Sequence, residues 1–191
     1  MSTTTSTTIK LNVKQFEILK CLHHACSDDT YRATLQHVYY DHKKKQFVAT
    51  DGHILRSESW DYVFDDRKAP DFSFYLKKTA FINTIAQFKK LYTVKSDEKI
   101  ANYEFNVSSD VSEIGIYPDY PKVYENKEKK AVERIGFDLD LLSRLRKTFP
   151  KSKDCNIKFE FTGELSACLF SATNGDFTRE AGVIMPIRLF D

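Results

Sequence analysis

Phe47-Val48-Ala49-Thr50-Asp51-Gly52-His53-Ile54-Leu55 is the stretch on which the fold turns. An apolar run stops at Asp51-Gly52, a dipeptide that favours tight turns, and a strand-like segment continues from His53 to Trp60. This reads as two adjoining strands, Gln46 to Thr50 and His53 to Trp60. Working backward, the lysine-rich turn His42 to Lys45 separates them from another extended run, Thr34 to Asp41. Before that, Phe16, Leu19, Cys21, Leu22 and Ala25 form one apolar stripe at helical spacing, preceded by extended Ile9 to Val13. The order is therefore strand, helix, several strands.

The same order returns twice. Phe72 to Leu76 is extended, Thr79 to Leu91 carries Phe81, Ile82, Ile85, Phe88 and Leu91 at helical spacing, and strands follow near Tyr103 to Val107 and Glu113 to Ile116. The third block has extended Val132 to Phe137 and a helix through Leu139, Leu142, Leu145 and Phe149 that ends at Pro150, with Asp138 or Asp140 as its cap. Strands Asn156 to Phe161, Leu165 to Ala172 and Gly182 to Leu189 follow, with Asn174-Gly175 at the last hairpin. Each block takes roughly 55 to 60 residues. A single block buries one sheet face and leaves open edges, so repetition is a statement about assembly.

Three strings in this frame resemble one family. Residues 47–55 are similar to "VATDGHRLA" in the middle domain of the bacterial replicative sliding clamp, the beta subunit of DNA polymerase III. Tyr117-Pro118-Asp119-Tyr120-Pro121-Lys122-Val123 is similar to that domain's "FPDYRRV", and Val183-Ile184-Met185-Pro186-Ile187-Arg188-Leu189 to the "VVMPMRL" that closes the family's chain. The resemblance implies an α+β DNA-clamp fold: three repeated units with helices on one face of antiparallel sheets. Residues 1–8 are expected as a disordered tail, 9–125 as a complete clamp domain of two units, and 126–191 as half a domain completed by another chain. The first domain and half of the last have no counterpart.

The resemblance also implies two activities. One is topological retention on double-stranded DNA, which needs basic side chains touching phosphates without base readout. Lys14 and Lys20 on the first helix, Lys77, Lys78, Lys89 and Lys90 around the second, and Arg144, Arg146 and Lys147 on the third are the candidates. The same side chains equally suit solvated helix faces. The other is docking of a short peptide from a DNA polymerase or other partner, in a pocket with an apolar floor and a polar edge. Its walls carry over as Leu35, Thr50, Gly52, His53 and Leu55 from the first block, and Pro118, Lys122 and Val123 from the second. Asp138, Leu141, Leu165, Ala167, Val183, Ile184, Met185, Pro186, Ile187, Arg188 and Leu189 come from the third. Ile54 replaces the family's Arg and Leu141 its frequent Tyr, so a more apolar pocket is expected. Met185 to Leu189 also reads simply as a buried terminal strand.

If the family's rings hold about twelve units, three units per chain imply a homotetramer, closed by two different isologous contacts. A clamp loader is then a possible further partner. The rival reading is a clamp-like adaptor that forms no ring and regulates a resident clamp or polymerase.

Composition limits the other classes. A hydrophobic share of 41%, with 15 Phe and 10 Tyr, supplies a core, and a net charge of +2 does not by itself mark a nucleic-acid binder. No apolar run reaches the roughly 20 residues that span a bilayer, and the opening Ser/Thr stretch lacks a secretion signal's basic start, so a cytoplasmic protein is expected. Cys21, Cys26, Cys155 and Cys168 form no CxxC pair, and Cys21 with His24 falls short of a four-ligand zinc set. No cofactor or metal is expected. Asp51 and His53 could form a base and its orienter, but no nucleophile, metal motif or phosphate loop accompanies them, so an enzyme is not expected.

Overall fold

The computed structural model describes residues 5–65, 67–82, 103–110, 114–124, 128–150, 156–174 and 177–189. Strand β1, Ser6–Leu11, points Ile9 and Leu11 inward and leaves the alternate residues exposed. The tail expected over residues 1–8 is thus ordered from Ser6, because its threonines suit an extended edge and Thr8 Oγ1 donates to Asn106 Oδ1 at 2.7 Å. Asn12 then starts helix α1, Val13–Leu22, through a reciprocal cap: its side chain accepts from Gln15 N, and the Gln15 side chain accepts from Asn12 N, both at 2.9 Å.

Strands β2 (His37–Asp41), β3 (Gln46–Thr50) and β4 (Ile54–Ser59) form the meander read from the sequence. The first of them begins later than expected, because residues Ala33–Gln36 form a 3-10 turn. Trp60 does not continue β4. Ser59 caps a short helix, α2 (Trp60–Phe64), by accepting from Tyr62 N, and Trp60, Val63 and Phe64 are buried. Strand β5 (Phe74–Lys77) follows, then helical residues 78–82; the rest of the helix expected to Leu91, with Lys89 and Lys90, lies outside the described residues. Strand β6 (Tyr103–Ser108) pairs with β1. The strand expected at Glu113 to Ile116 is absent from its described part: residues 114–119 are irregular and lead into a 3-10 turn, Tyr120–Val123.

In the third block the expected strand Val132 to Phe137 contributes a single bridge, Gly136 to Ile187. Asp138 caps helix α3 (Leu139–Lys147) by accepting from Leu141 N, and strands β7 (Asn156–Glu160), β8 (Cys168–Asn174) and β9 (Phe177–Ile184) complete the block. The last strand starts earlier and stops earlier than Gly182 to Leu189. Met185 N makes the final bond, to His53 O at 2.9 Å, and Pro186 has no N–H with which to continue a ladder.

All strand pairs are antiparallel. A seven-stranded sheet runs β5-β2-β3-β4-β9-β8-β7, and β1-β6 forms a separate two-stranded sheet. The third block therefore joins the first within one sheet, through Ile54↔Ile184, Leu55↔Val183 and Arg56↔Gly182. Strand alternation sorts the apolar residues. Phe47, Ala49, Ile54 and Ile184 face the core that also holds Phe16, Leu19, Leu141, Leu145 and Phe149 from α1, α3 and the turn after it. Val48, Leu55 and Val183 face the other way, under Tyr117 and Tyr120. This is the expected α+β arrangement, with helices on one sheet face.

Arg56 is fully buried on the helix side of β4, ion-paired with buried Glu58, and its guanidinium lies 4.3 Å from the Phe149 ring centroid. A buried charge needs such partners, and here they bind the first block to the end of α3.

Candidate functional site

The turn at Thr50 to Ile54 is built by its own side chains. Asp51 Oδ1 accepts from His53 N at 2.8 Å and Ile54 N at 2.9 Å; Thr50 Oγ1 donates to Ile54 O at 2.7 Å and accepts from Gly52 N at 3.1 Å. Gly52 has φ +96°, where a side chain would be strained, and an added Cβ would also meet Arg32 Nη1 at 3.4 Å. The second Asp51 oxygen takes an ion pair from Arg144 on α3. Asp51 is therefore engaged by backbone amides and a guanidinium, and does not serve as an orienter for the exposed His53 ring.

A second wall is the segment before and within the 3-10 turn. Tyr117 is buried, its ring centroid 4.7 Å from that of Tyr39, and Tyr75 donates to Gly115 O at 2.9 Å. The Tyr120 hydroxyl accepts from Gln46 Nε2 at 2.7 Å and donates to Asp41 Oδ2 at 2.8 Å. Desolvation pushes the Tyr75, Tyr117 and Tyr120 phenols up, Tyr75 to about 12, so these three stay neutral at ordinary pH. These contacts hold Pro118, Asp119 and Val123 against the outer sheet face. The end of β9 forms the third wall.

Between the walls lies a cavity of ≈ 220 Å³. The structure brings the expected Leu35, Thr50, Gly52, His53, Leu55, Pro118, Val123, Val183 and Met185 together around it, and adds Ile54, Asp119 and Tyr120. Asp119 and Tyr120 stand in the quoted 117–123 string, so position gave a signal that residue type alone did not. Lys122 is exposed and ion-paired with Asp119 at 2.6 Å, beside the cavity. Ile184 and Leu141 do not line it: both are buried in the main core on the helix side. Ile54 borders the cavity and is also fully buried in that core. Asp138 is spent on the α3 cap, and Ala167 lies in the smaller core cluster. Leu165, Ile187, Arg188 and Leu189 line a separate cleft of ≈ 200 Å³ with Arg134, Ile135, Gly136 and Glu164; Pro186 lines neither.

The expected DNA-facing cations divide by what they touch. Lys20 pairs with Glu17 at 3.0 Å, Lys78 with Asp28 at 2.6 Å, and Arg144 with Asp51, so these three are committed to local structure. Arg146 is exposed and donates to the carbonyls of Phe149 and Pro150, both at 3.4 Å. Lys14, Lys77 and Lys147 are exposed. The His24 pKa is lowered to about 4, by burial first and then by the positive charges of His23, Lys147, Lys78 and Lys20. Cys21 and Cys26 are buried free thiols pushed up by desolvation to about 11 and about 12. Among the described residues, no group of three or more His, Cys, Asp or Glu side chains is placed to hold a metal, and no helix is long and apolar enough to cross a membrane.

No protein-family model matches the sequence, and no curated protein does. Solved structures do. The DNA polymerase sliding clamp of Bacillus subtilis aligns over 96% of this chain and 65% of its own, at 14% identity and a TM-score of 0.60. The DNA polymerase III beta subunit of Thermotoga maritima aligns over 96% and 66%, at 13% identity and 0.61. That of Borrelia burgdorferi, solved in complex with a natural product, aligns over 96% and 65%, at 14% identity and 0.61. The chain has the sliding-clamp fold and spans about 65% of the length of these clamp subunits.

Proposed function

We propose that this chain works as a DNA sliding clamp: a homotetrameric ring that encircles duplex DNA and docks polymerase-type partners by a short peptide. The observation that carries the reading is the convergence of three chain segments far apart in sequence on one apolar cavity. A floor of Leu35, Leu55, Val183 and Met185 suits bulky aliphatic or aromatic side chains, and Met185 lets it adapt to different ones. Exposed His53 and the Asp119–Lys122 pair give the rim the polar groups that orient an extended peptide. Retention on DNA falls to exposed Lys14, Lys77, Arg146 and Lys147, which suit loose phosphate contact.

Titration with a short fluorescent peptide bearing two bulky apolar residues tests the pocket. His53→Ala and Met185→Ala should each weaken binding about fivefold or more while the protein stays folded. Unchanged affinity in both folded variants would place the docking site elsewhere. The same fold and cavity also suit a clamp-like adaptor that forms no ring. Light scattering separates the two: a mass of four times 22.2 kDa supports the ring, and a persistent monomer supports the adaptor.

A further inference from the structure

The first two blocks exchange their opening strands. β1, which opens the first, pairs with β6 of the second, and β5, which opens the second, pairs with β2 of the first. In each case the strand before one helix crosses to the first strand of the other block's sheet, and inward residues meet as Leu11↔Tyr103 and Leu76↔Val38. Among the described residues, the third block has both halves of such an exchange and no second block that exchanges strands with it. Its opening segment, residues 134–137, makes one bridge, to the chain's own Ile187, and β7 ends the large sheet, pairing among the described residues with β8 alone.

The open edges are correctly aimed. Ile187 N donates to Gly136 O at 2.9 Å, so by strand alternation the backbone groups of Ile135 and Phe137 point to the opposite side. Just past β7, Phe161 O accepts from Lys130 N at 2.9 Å, and by the same alternation, carried back into the strand, Ile157 and Phe159 point their backbone groups at the free edge.

We propose that a second copy of this chain fills both edges: residues 134–137 of each copy pair antiparallel with β7 of the other about a two-fold axis. The pattern of the first two blocks sets Phe137 opposite the partner's Ile157, which puts Ile135 opposite the partner's Phe159 and Arg134 opposite the partner's Glu160. Apolar residues then face the core side and opposite charges meet outside. A one-residue slip inverts the faces, and a two-residue slip takes Arg134 off the carboxylate. Phe137, Ile157 and Phe159, now only partly buried, gain a covering strand. Glu160 is held by Lys129 at 2.8 Å and Lys158 at 3.1 Å, both exposed, and Lys129 yields its place on that carboxylate to the partner's Arg134.

The helices agree with the strands. Phe16 lies four residues after its cap Asn12 and meets Phe81 of the second block at 6.2 Å. Leu142 lies four residues after Asp138, is partly buried, and meets the partner's Leu142 in the same way. The proposal rests on the ring reading for its purpose: it supplies one of the two isologous contacts that four three-block chains require.

The test is light scattering of the whole chain, with Arg134→Glu, Glu160→Arg and the double variant beside it. The native chain should have a mass of twice 22.2 kDa or a multiple of that. Each single reversal should raise the dimer dissociation constant about tenfold or more, and the double variant should recover it. Independently, an Arg134→Cys/Glu160→Cys chain should give a disulfide-linked dimer on a denaturing gel, because non-hydrogen-bonded antiparallel pairs bring such side chains close. A native monomer at every concentration overturns the proposal, as does a dimer indifferent to charge reversal that the cysteine pair fails to link. Peptide titration of the same samples keeps the two readings apart: a monomer that binds peptide sinks the exchange and spares the pocket, and a cross-linked dimer that binds none does the reverse.

Discussion

Tyr120 illustrates how much one hydroxyl can hold. Its phenol joins the 3-10 turn to both strands of the β2–β3 hairpin, accepting from Gln46 and donating to Asp41, and the ring itself is buried. Tyr120→Phe keeps the ring and removes both bonds, so it should cost about 1–2 kcal/mol of stability by chemical denaturation. The same change frees the wall that carries Pro118 and Val123, so peptide affinity should fall too; unaltered affinity would mean that the turn is held by apolar packing alone. His24 gives a second expectation at this scale. Its folded pKa, about 4, lies below its unfolded value, so the unfolded chain binds the proton first as pH falls. His23 and His37 are lowered in the same direction, by desolvation. Their contribution is complete above about pH 6.5 and is lost as pH drops toward 4. Melting temperature should therefore decline across that window, and His24→Gln should flatten the slope; an equal slope in the variant would remove His24 from the account.

Elements were legible where local chemistry decides them. The Asp51-Gly52 turn, the α3 cap and the meander β2–β4 follow from residues within a few positions of one another. Other elements are decided by a neighbour in space and depart from what the local residues predict. Val183, Ile184 and Met185 are consecutive apolar residues, and pairing with β4 settles that Val183 faces the pocket and Ile184 the core. The strand expected to reach Trp60 stops at Ser59, which caps a helix over Trp60–Phe64 whose Trp60, Val63 and Phe64 are buried in the core with α1. Gly182 was read as a strand start and is instead the residue that lets β9 meet β4: a Cβ there would sit 1.9 Å from Leu55 O and 2.7 Å from the Phe170 ring. Gly182→Ala should cost about 3 kcal/mol or more, since the obstacle is backbone and the joint carries both core faces. Because Leu55 and Val183 are opposite each other at that joint, peptide binding should weaken in parallel with stability. A variant as stable as the native chain would show that β9 can shift without opening the sheet.

At the scale of the whole molecule the proposed clamp function requires that DNA be held by enclosure rather than by contact, and salt separates the two. Contact by a few lysines and arginines weakens steeply with salt, because each phosphate neutralised releases counterions, whereas a closed ring is lost only when it opens or when DNA offers an end. Several candidate cations are already engaged within the chain: Lys20 with Glu17, Lys78 with Asp28, Arg144 with Asp51. Among the described residues the exposed candidates are Lys14, Lys77, Arg146 and Lys147, and four phosphate contacts alone give salt-sensitive binding that is weak at physiological ionic strength. The protein loaded on nicked circular DNA should therefore survive a wash at about 0.5 M salt, where the Debye length is only about 4 Å, and leave once the circle is cut. Lys14→Glu with Lys147→Glu should slow loading at low salt and leave that retention intact. Loss from the circle at the same salt that strips it from linear DNA would mean that the chain binds by surface charge, and the ring would have to be given up even if the peptide pocket stood.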